Sequence, residues 1–502
     1  MTKSHTLCVS RIHSISFVII SLLFSVLLTA QVPTDSTAKK MLHCITEREL
    51  QGWIDTLCSA AFRGRLSGTP EYLEAANWTA SHFDTWGLTP AGANSSWFRY
   101  FPQAYTSIKD PGSLQLHLPQ EDGSLITKSY SFPSHYFPGM NSGKGSVTAE
   151  VIFAGHGITA PEHQYDDYAS IDVRGKIVLI ARDAPFKDSY NPSYAKWVNY
   201  CYHQYKLENA VRHGAAGFLY IDGNAANPNI SYDSTILVAG IGEEVLNDLF
   251  SGTGKSFDSL LKDIAITIKP VSFSLNKKVT IRMNTARFPN GKSCSVIGLI
   301  PGTDPYLKDE VIILGAHLDA VGGVGDVYVP GGLDNGSGSA DVMGVAKVLA
   351  NKSLKMKRSV LFILLGGEET GLLGSKNYVE RPLFHKEKTR CFINLDMAGN
   401  GNSFWLSTED SSLLRSFEQV NKSYIHRDLK GFISSRENYG RPRSDAVIFR
   451  QKGYTTVSLG ITGPGKTVYY HLPGDGPDAV TPDSMRDLVN WLALTVFTLA
   501  NE

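Results

Sequence analysis

The sequence lacks an excess of charge of either sign: 48 Lys and Arg stand against 48 Asp and Glu. That balance removes the electrostatic footprint of a nucleic-acid or anionic-membrane binder. Cysteine is scarce, six in 502 residues, and no Cys-x-x-Cys pair occurs. A disulfide scaffold and a cysteine-ligated metal site are both set aside on that ground. Cys8 lies in the leading segment, and Cys44, Cys58, Cys201, Cys294 and Cys391 are scattered and odd in number. A Cys44–Cys58 bridge is open in an oxidising compartment, and spacing alone does not decide it. Long apolar runs are missing as well, except Ile15–Leu28, with Lys3 and Arg11 ahead of it and Thr29-Ala30 behind. That pattern reads as a signal peptide over residues 1–30, short for a spanning helix. Leu28 is bulky for a cleavage site, so an uncleaved anchor is the alternative. No Cys follows the run, which argues against a lipid anchor. Asn77, Asn94, Asn229, Asn335, Asn351 and Asn421 fit glycosylation sequons, a pattern common by chance.

What is present concentrates between Val311 and Asp396. Val311–Leu314, Val360–Leu365 and Phe392–Leu395 are short apolar runs expected to be buried parallel strands. Each ends on residues that a buried strand would not tolerate: His317 and Asp319, Glu368 and Glu369, Asp396. Between the first two runs, Gly336–Ala350 reads as a helix introduced by Asp334 and Asn335. Strand–helix–strand alternation with right-handed crossovers puts every strand carboxyl end on one side, where open α/β sheets bind ligands. A fourth strand, Thr455–Leu459, leads to His471. A crowd of carboxylates without cations is expensive to desolvate, and divalent metal resolves the conflict. Imidazole and carboxylate ligands suit zinc, and a pair of ions needs a bridging carboxylate. Singly, an HxD is most often a surface turn and an EE pair a solvated helix cap; together at consecutive strand ends they are not.

HLD, GGLDNGSG, GGEETGLLGS, NLDMAG and YYHLPGD resemble the motifs of the co-catalytic di-zinc aminopeptidase family, whose relatives include glutamate carboxypeptidase II and the glutaminyl cyclases. The resemblance implies His317 and Asp396 on one zinc, Glu369 and His471 on the other, and Asp334 bridging both. It implies Glu368 as general base acting on a metal-activated water, and Asp319 as the carboxylate that orients His317. Asp475 is a candidate for the same duty toward a ligand histidine. Tyr470 is a candidate to polarise the substrate carbonyl, against a packing role of nearly equal weight. The sequence departs from the family where relatives commonly read SDH: here Arg443-Ser444-Asp445-Ala446 puts Ala446 in place of His. That places substrate details at this edge in doubt, not hydrolysis.

The rest of the chain is less specific. Thr69-Pro70 starts a helix whose apolar positions Tyr72, Ala75, Ala76, Ala80, Phe83 and Trp86 recur at helical spacing up to Gly87. From about Gly145 to Ser274 the texture changes to short β-like runs, Glu150–Ala154, Lys176–Ile180 and Gly217–Ile221, with Leu207–His213 helical between the last two. VIFAGHGITAPEHQYDDYASIDVRGKIVLIARD and KLENAVRHGAAGFLYID are similar to the protease-associated (PA) domain. His156, His163, Asp166 and Asp167 are expected to be surface-loop residues, and the inserted unit to roof or narrow the crevice. Ser295 stands where the family usually has Asn. Gly460–Thr467 fits GxxxxGK[ST], but Pro473, Gly474, Gly476 and Pro477 forbid the helix that phosphate binding needs, so an NTPase is a minor alternative. Asp483–Ala500 reads as a packing helix.

The expected architecture is α/β: a mostly parallel mixed sheet with helices on both faces, plus an inserted smaller β-rich PA domain. Its expected divisions are 1–30, 31–144, 145–281 (PA-like) and 282–502, the last carrying all the metal ligands. The resemblance implies an exopeptidase with two Zn2+, releasing N-terminal residues from peptide substrates, and the leading segment implies that it is secreted or periplasmic. The charge balance implies no nucleic-acid partner, the leading segment implies no membrane anchor after signal cleavage, and the oligomeric state is left open. A carboxypeptidase or dipeptidase is the alternative on the same scaffold. A one-zinc glutaminyl cyclase or a non-catalytic receptor such as the transferrin receptor ranks lower, because no ligand has been lost.

Overall fold

The structure is a computed structural model that describes residues 33–119, 124–186, 192–221, 228, 231–434 and 444–502. The leading segment Met1–Ala30, Asn229 and Arg443 lie outside the described residues. A nine-stranded sheet forms the centre. Its strands include β1 (Lys292–Ile300), β2 (Val311–His317), β3 (Ser359–Leu365), β4 (Thr389–Leu395), β5 (Ser403–Thr408), β6 (Leu429–Ile433) and β7 (Thr456–Thr462). In space the order is β1-β3-β2-β4-β7-β5-β6. The inner four, β3-β2-β4-β7, run parallel, and β1 and β5 join antiparallel at their flanks. β2 and β3 are buried at every position, as strands covered on both faces must be.

The covering helices are α1 (Glu47–Leu57), α2 (Pro70–Trp86), α3 (Gly338–Leu349), α4 (Leu373–Glu380), α5 (Asp445–Gln451) and α6 (Pro482–Asn501). Ile312, Leu314, Val360, Phe362 and Ile393 meet α1, α2, α3 and α6 on one face. Ile313, Leu361, Ile363 and Phe392 meet α4 and α5 on the other. Local chemistry sets the ends of α2: the Thr69 hydroxyl accepts from Tyr72 N, Pro70 opens the helix, and Gly87 closes it at φ 80. α3 begins two residues later than the sequence suggests, because Gly332–Ser337 forms a wide turn first.

A second, ten-stranded sheet stands beside the first. It contains Gly145–Ala154, Ile177–Ala181, Gly217–Ile221 and Leu237–Ile241, with the helix His203–Arg212 packed near them. It also draws on Tyr105–Pro119, the long strand Ser272–Phe288 and the short strand Gly323–Val324, so it extends past the 145–281 span. His156 and Asp167, expected on a surface loop, are buried. The Asp167 carboxylate accepts from His156 N (3.1 Å), Ile158 N (3.0 Å) and the Tyr165 hydroxyl (2.9 Å), so this cluster closes a tight loop. Cys44 and Cys58 are separate thiols, as are the other described cysteines.

Candidate functional site

Each of the inner parallel strands delivers polar side chains at its carboxyl end. His317 ends β2, Glu368 and Glu369 follow β3, and Asp396 follows β4. Asp334 comes from the turn before α3, and His471 from the loop after β7. His317 Nε2 lies 3.3 Å from Asp334 Oδ1 and 3.5 Å from Asp396 Oδ1. His471 Nε2 lies 3.1 Å from Glu369 Oε2 and 3.5 Å from Asp334 Oδ2. Asp334 thus gives one oxygen to each group. The candidate ligand atoms of His317, Asp334 and Asp396 lie within 4.8 Å of one another, as do those of Asp334, Glu369 and His471. His317, Glu368 and Glu369 form a third such group, which sets Glu368 against the cluster.

These residues fit a pair of divalent cations. His471 Nε2 approaches the Glu369 and Asp334 carboxylates, yet neither its Nε2 nor Glu369 Oε1 has a hydrogen-bond partner among the described residues. Buried polar atoms left that way are costly unless something else meets them. Two imidazoles and three carboxylates form the nitrogen and oxygen donor set that zinc accepts. Burial lowers the His317 pKa, but the facing Asp334 and Asp396 more than offset it and hold it well above the ordinary value. His471, opposed in the same way by burial and by Glu369 and Asp334, is pushed up to about 10. Burial raises the Glu368 carboxyl well above the ordinary range.

The scaffold around these groups differs in detail from the expected one. The Asp319 carboxylate lies 3.8 Å from His317 Nδ1 and accepts from Glu368 N (3.2 Å) and Glu369 N (3.3 Å). His317 Nδ1 instead pairs with the Asp319 backbone oxygen at 3.0 Å, which leaves Nε2 for the cluster. Among the described residues Asp475 makes no hydrogen bond to a histidine. Its carboxylate accepts from Leu333 N (2.8 Å) and Asp334 N (3.1 Å), fixing the turn that carries Asp334. Asn335 is buried: it donates to Leu395 O (2.9 Å) and accepts from Gly338 N (3.0 Å) and Met397 N (3.2 Å). It therefore ties the Asp334 turn to the end of β4, and its sequon cannot carry a glycan in this fold. Tyr470 is 52% exposed at the rim, its ring stacked on His471 at 3.8 Å.

One residue escaped the sequence reading. Arg65 is fully buried and donates to Leu318 O (2.8 Å), Leu57 O (2.7 Å), Pro330 O (2.6 Å) and Gly331 O (3.0 Å). It cross-links the loop after His317 to the loop before Asp334. Its only signal in the sequence is an arginine between glycine and leucine ahead of α2. The crevice over the cluster has a volume of about 970 Å3. Tyr202, His203, Tyr205 and Glu208 of the second unit line it opposite Glu368 and His471.

Residues 295–496 match peptidase family M28, and residues 146–249 match the PA domain. Aminopeptidase YwaD of Bacillus subtilis is 26% identical over 360 residues, 68% of this chain and 67% of that protein. Leupeptin-inactivating enzyme 1 of Streptomyces exfoliatus is 34% identical over 160 residues, 32% of this chain and 34% of that protein. The chain therefore spans between about a third and two thirds of these curated relatives. The solved structure of an aminopeptidase from Aneurinibacillus sp. strain AM-1 aligns with a TM-score of 0.62 at 20% identity, covering 92% of this chain and 96% of that one. That likeness establishes the shared fold.

Proposed function

We propose, from the premise that the chain belongs to peptidase family M28 and carries an inserted PA domain, that it is a zinc-dependent aminopeptidase releasing N-terminal residues from peptides. The observation that carries the reading is Asp334, which offers separate oxygens to two histidine–carboxylate groups. His317 and Asp396 would hold one zinc, Glu369 and His471 the other, with Asp334 between them. The chemistry that such a pair supplies is Lewis-acid activation of water and of the scissile carbonyl. Glu368 takes the proton of the attacking water and passes it to the leaving amine. Asp319 acts as a positioning residue, since its carboxylate holds the amides of both Glu368 and Glu369. Tyr470, at the rim beside His471, offers its hydroxyl to the carbonyl oxygen. The PA unit narrows the crevice, which suits a chain end better than a mid-chain segment. The leading segment supports export from the cytoplasm, and no helix among the described residues is long and apolar enough to cross a membrane.

The test separates chemistry from metal binding. Glu368→Ala is expected to retain two zinc ions by elemental analysis while turnover falls about 10²- to 10⁴-fold. Asp334→Ala is expected to lose metal. Full activity in the Glu368 variant would refute the assigned base. Comparison of N-blocked with C-blocked peptides decides which terminus must be free.

A further inference from the structure

The turn that carries Glu368 is held by backbone bonds. Gly371 N and Leu372 N both donate to Glu368 O at 2.9 Å, Leu373 N donates to Gly367 O at 2.8 Å, and Gly374 N to Gly366 O at 2.9 Å. These bonds seat the start of α4 directly on the turn. Lys376, in the first turn of α4, folds its side chain back onto the same segment, where Nζ donates to Gly371 O at 2.8 Å. Gly371, Leu372 and Lys376 line the crevice together with Glu368.

An ammonium group has three donors, and the bond to Gly371 O uses one. Lys376 is exposed to the solvent of the crevice, and among the described residues it makes no ion pair. The charged groups on the opposite wall are engaged: Arg182 Nε pairs with Asp183 at 3.1 Å, and Glu208 accepts from the Ser231 hydroxyl at 2.7 Å. Asp334, Glu368, Glu369 and Asp396 also line the crevice, and two divalent cations would balance these four carboxylates. Beside Glu368 there then stands a cation whose remaining donors face the crevice.

A group that hands a proton to the leaving amine must come within hydrogen-bond reach of it. The residue after the scissile bond therefore passes beside Glu368, along the wall that Gly371, Leu372 and Lys376 form. We propose that Lys376 is a specificity-determining residue that binds a carboxylate carried by the residue after the scissile bond. This rests on the aminopeptidase reading above, with Glu368 as its base. The carboxylate has two sources, the free carboxyl terminus of a dipeptide and the side chain of Asp or Glu. Lysine pairs with either as a point charge, without the fixed two-bond geometry that arginine imposes. A neutral amide of the same shape keeps the contacts and loses the attraction.

The experiment measures kcat/KM for release of leucine by the zinc-loaded full chain from two matched pairs of substrates. Leu-Glu amide against Leu-Gln amide tests the side-chain source, and Leu-Ala against Leu-Ala amide tests the terminal one. In the wild-type protein the carboxylate member of at least one pair is expected to be favoured about fivefold, the order of one partly exposed ion pair. The pair that shows the preference identifies the source. In Lys376→Met, which keeps the stem and removes the charge, the preference is expected to disappear, with zinc content as the control for folding. It is also expected to shrink in the wild-type protein as salt rises from about 0.01 M to about 1 M, since exposed charges are screened. A full preference in a zinc-replete Lys376→Met protein overturns the proposal. Absence of the preference from both wild-type pairs, or a preference unmoved by salt, overturns it whether or not the variant folds. Failure of the wild-type protein to release leucine from any of the four substrates would defeat the aminopeptidase reading itself, which distinguishes the two failures.

Discussion

At the scale of single residues, the candidate centre depends on groups that never touch the cluster. Arg65 holds four backbone carbonyls with one guanidinium, a fork that the point charge of lysine cannot reproduce. Arg65→Lys is therefore expected to cost about 3 kcal/mol of stability, the order found when a buried charged network loses its partners. Because the two loops it joins lead to His317 and Asp334, the variant is also expected to release zinc at lower chelator concentration. Urea titration and a chelator competition assay measure the two effects. The candidate ligands themselves were legible in the sequence, because each is a charged residue at the end of an apolar run. Arg65 was not, since its work is done on backbone carbonyls, which leave no trace in side-chain spacing. The peptide N–H groups that Asp319 and Asp475 hold are illegible in the sequence for a related reason, since backbone amides leave no mark on side-chain spacing.

At the scale of elements, capping chemistry is the clearest link from sequence to stability. Asp410 accepts from Ser412 N (2.7 Å) and Leu413 N (3.4 Å) at the start of the helix Ser411–Val420, and pairs with Arg390 at 3.0 Å. Burial raises its carboxyl, but the Ser412 hydroxyl, Arg390 and the helix amides draw it down to about 2. A depressed folded-state pKa stabilises above the unfolded value, about 3.9, and the gain is lost as pH falls from there toward 2. Asp410→Ala is accordingly expected to cost about 1 kcal/mol at pH 7, with the deficit shrinking below pH 4 in urea melts. The bounds of α2 and α6 were readable because caps and 3.6-residue periodicity act within a few residues. The pairing of Tyr105–Pro119 with Ser272–Phe288 was not, because its partners are separated by the whole inserted segment and no local signal reports such a register.

At the scale of the whole molecule, two units share one crevice. Tyr202 and Tyr205 line it from the PA side, while the candidate ligands lie on the other. Tyr202→Ala is expected to raise KM for tripeptides and longer substrates several-fold and to leave KM for single aminoacyl amides nearly unchanged, as steady-state kinetics on a length series would record. The seam between the units passes through the candidate metal site. Val324, on the chain segment between His317 and Asp334, is paired in parallel with Ile108 of the second sheet. Gly322 N donates to Gly64 O (2.9 Å), and Leu66 bridges to Ala320 beside it. The second sheet, through Tyr105–Pro119, and the loop ahead of α2 are thus both stitched to the same stretch of chain that spaces two of the five candidate ligands. Excising residues 145–281 and rejoining the ends would take the strand Gly145–Ala154 and much of Ser272–Phe288 away from Tyr105–Pro119, so the sheet to which Val324 is tied would lose the neighbours that hold it.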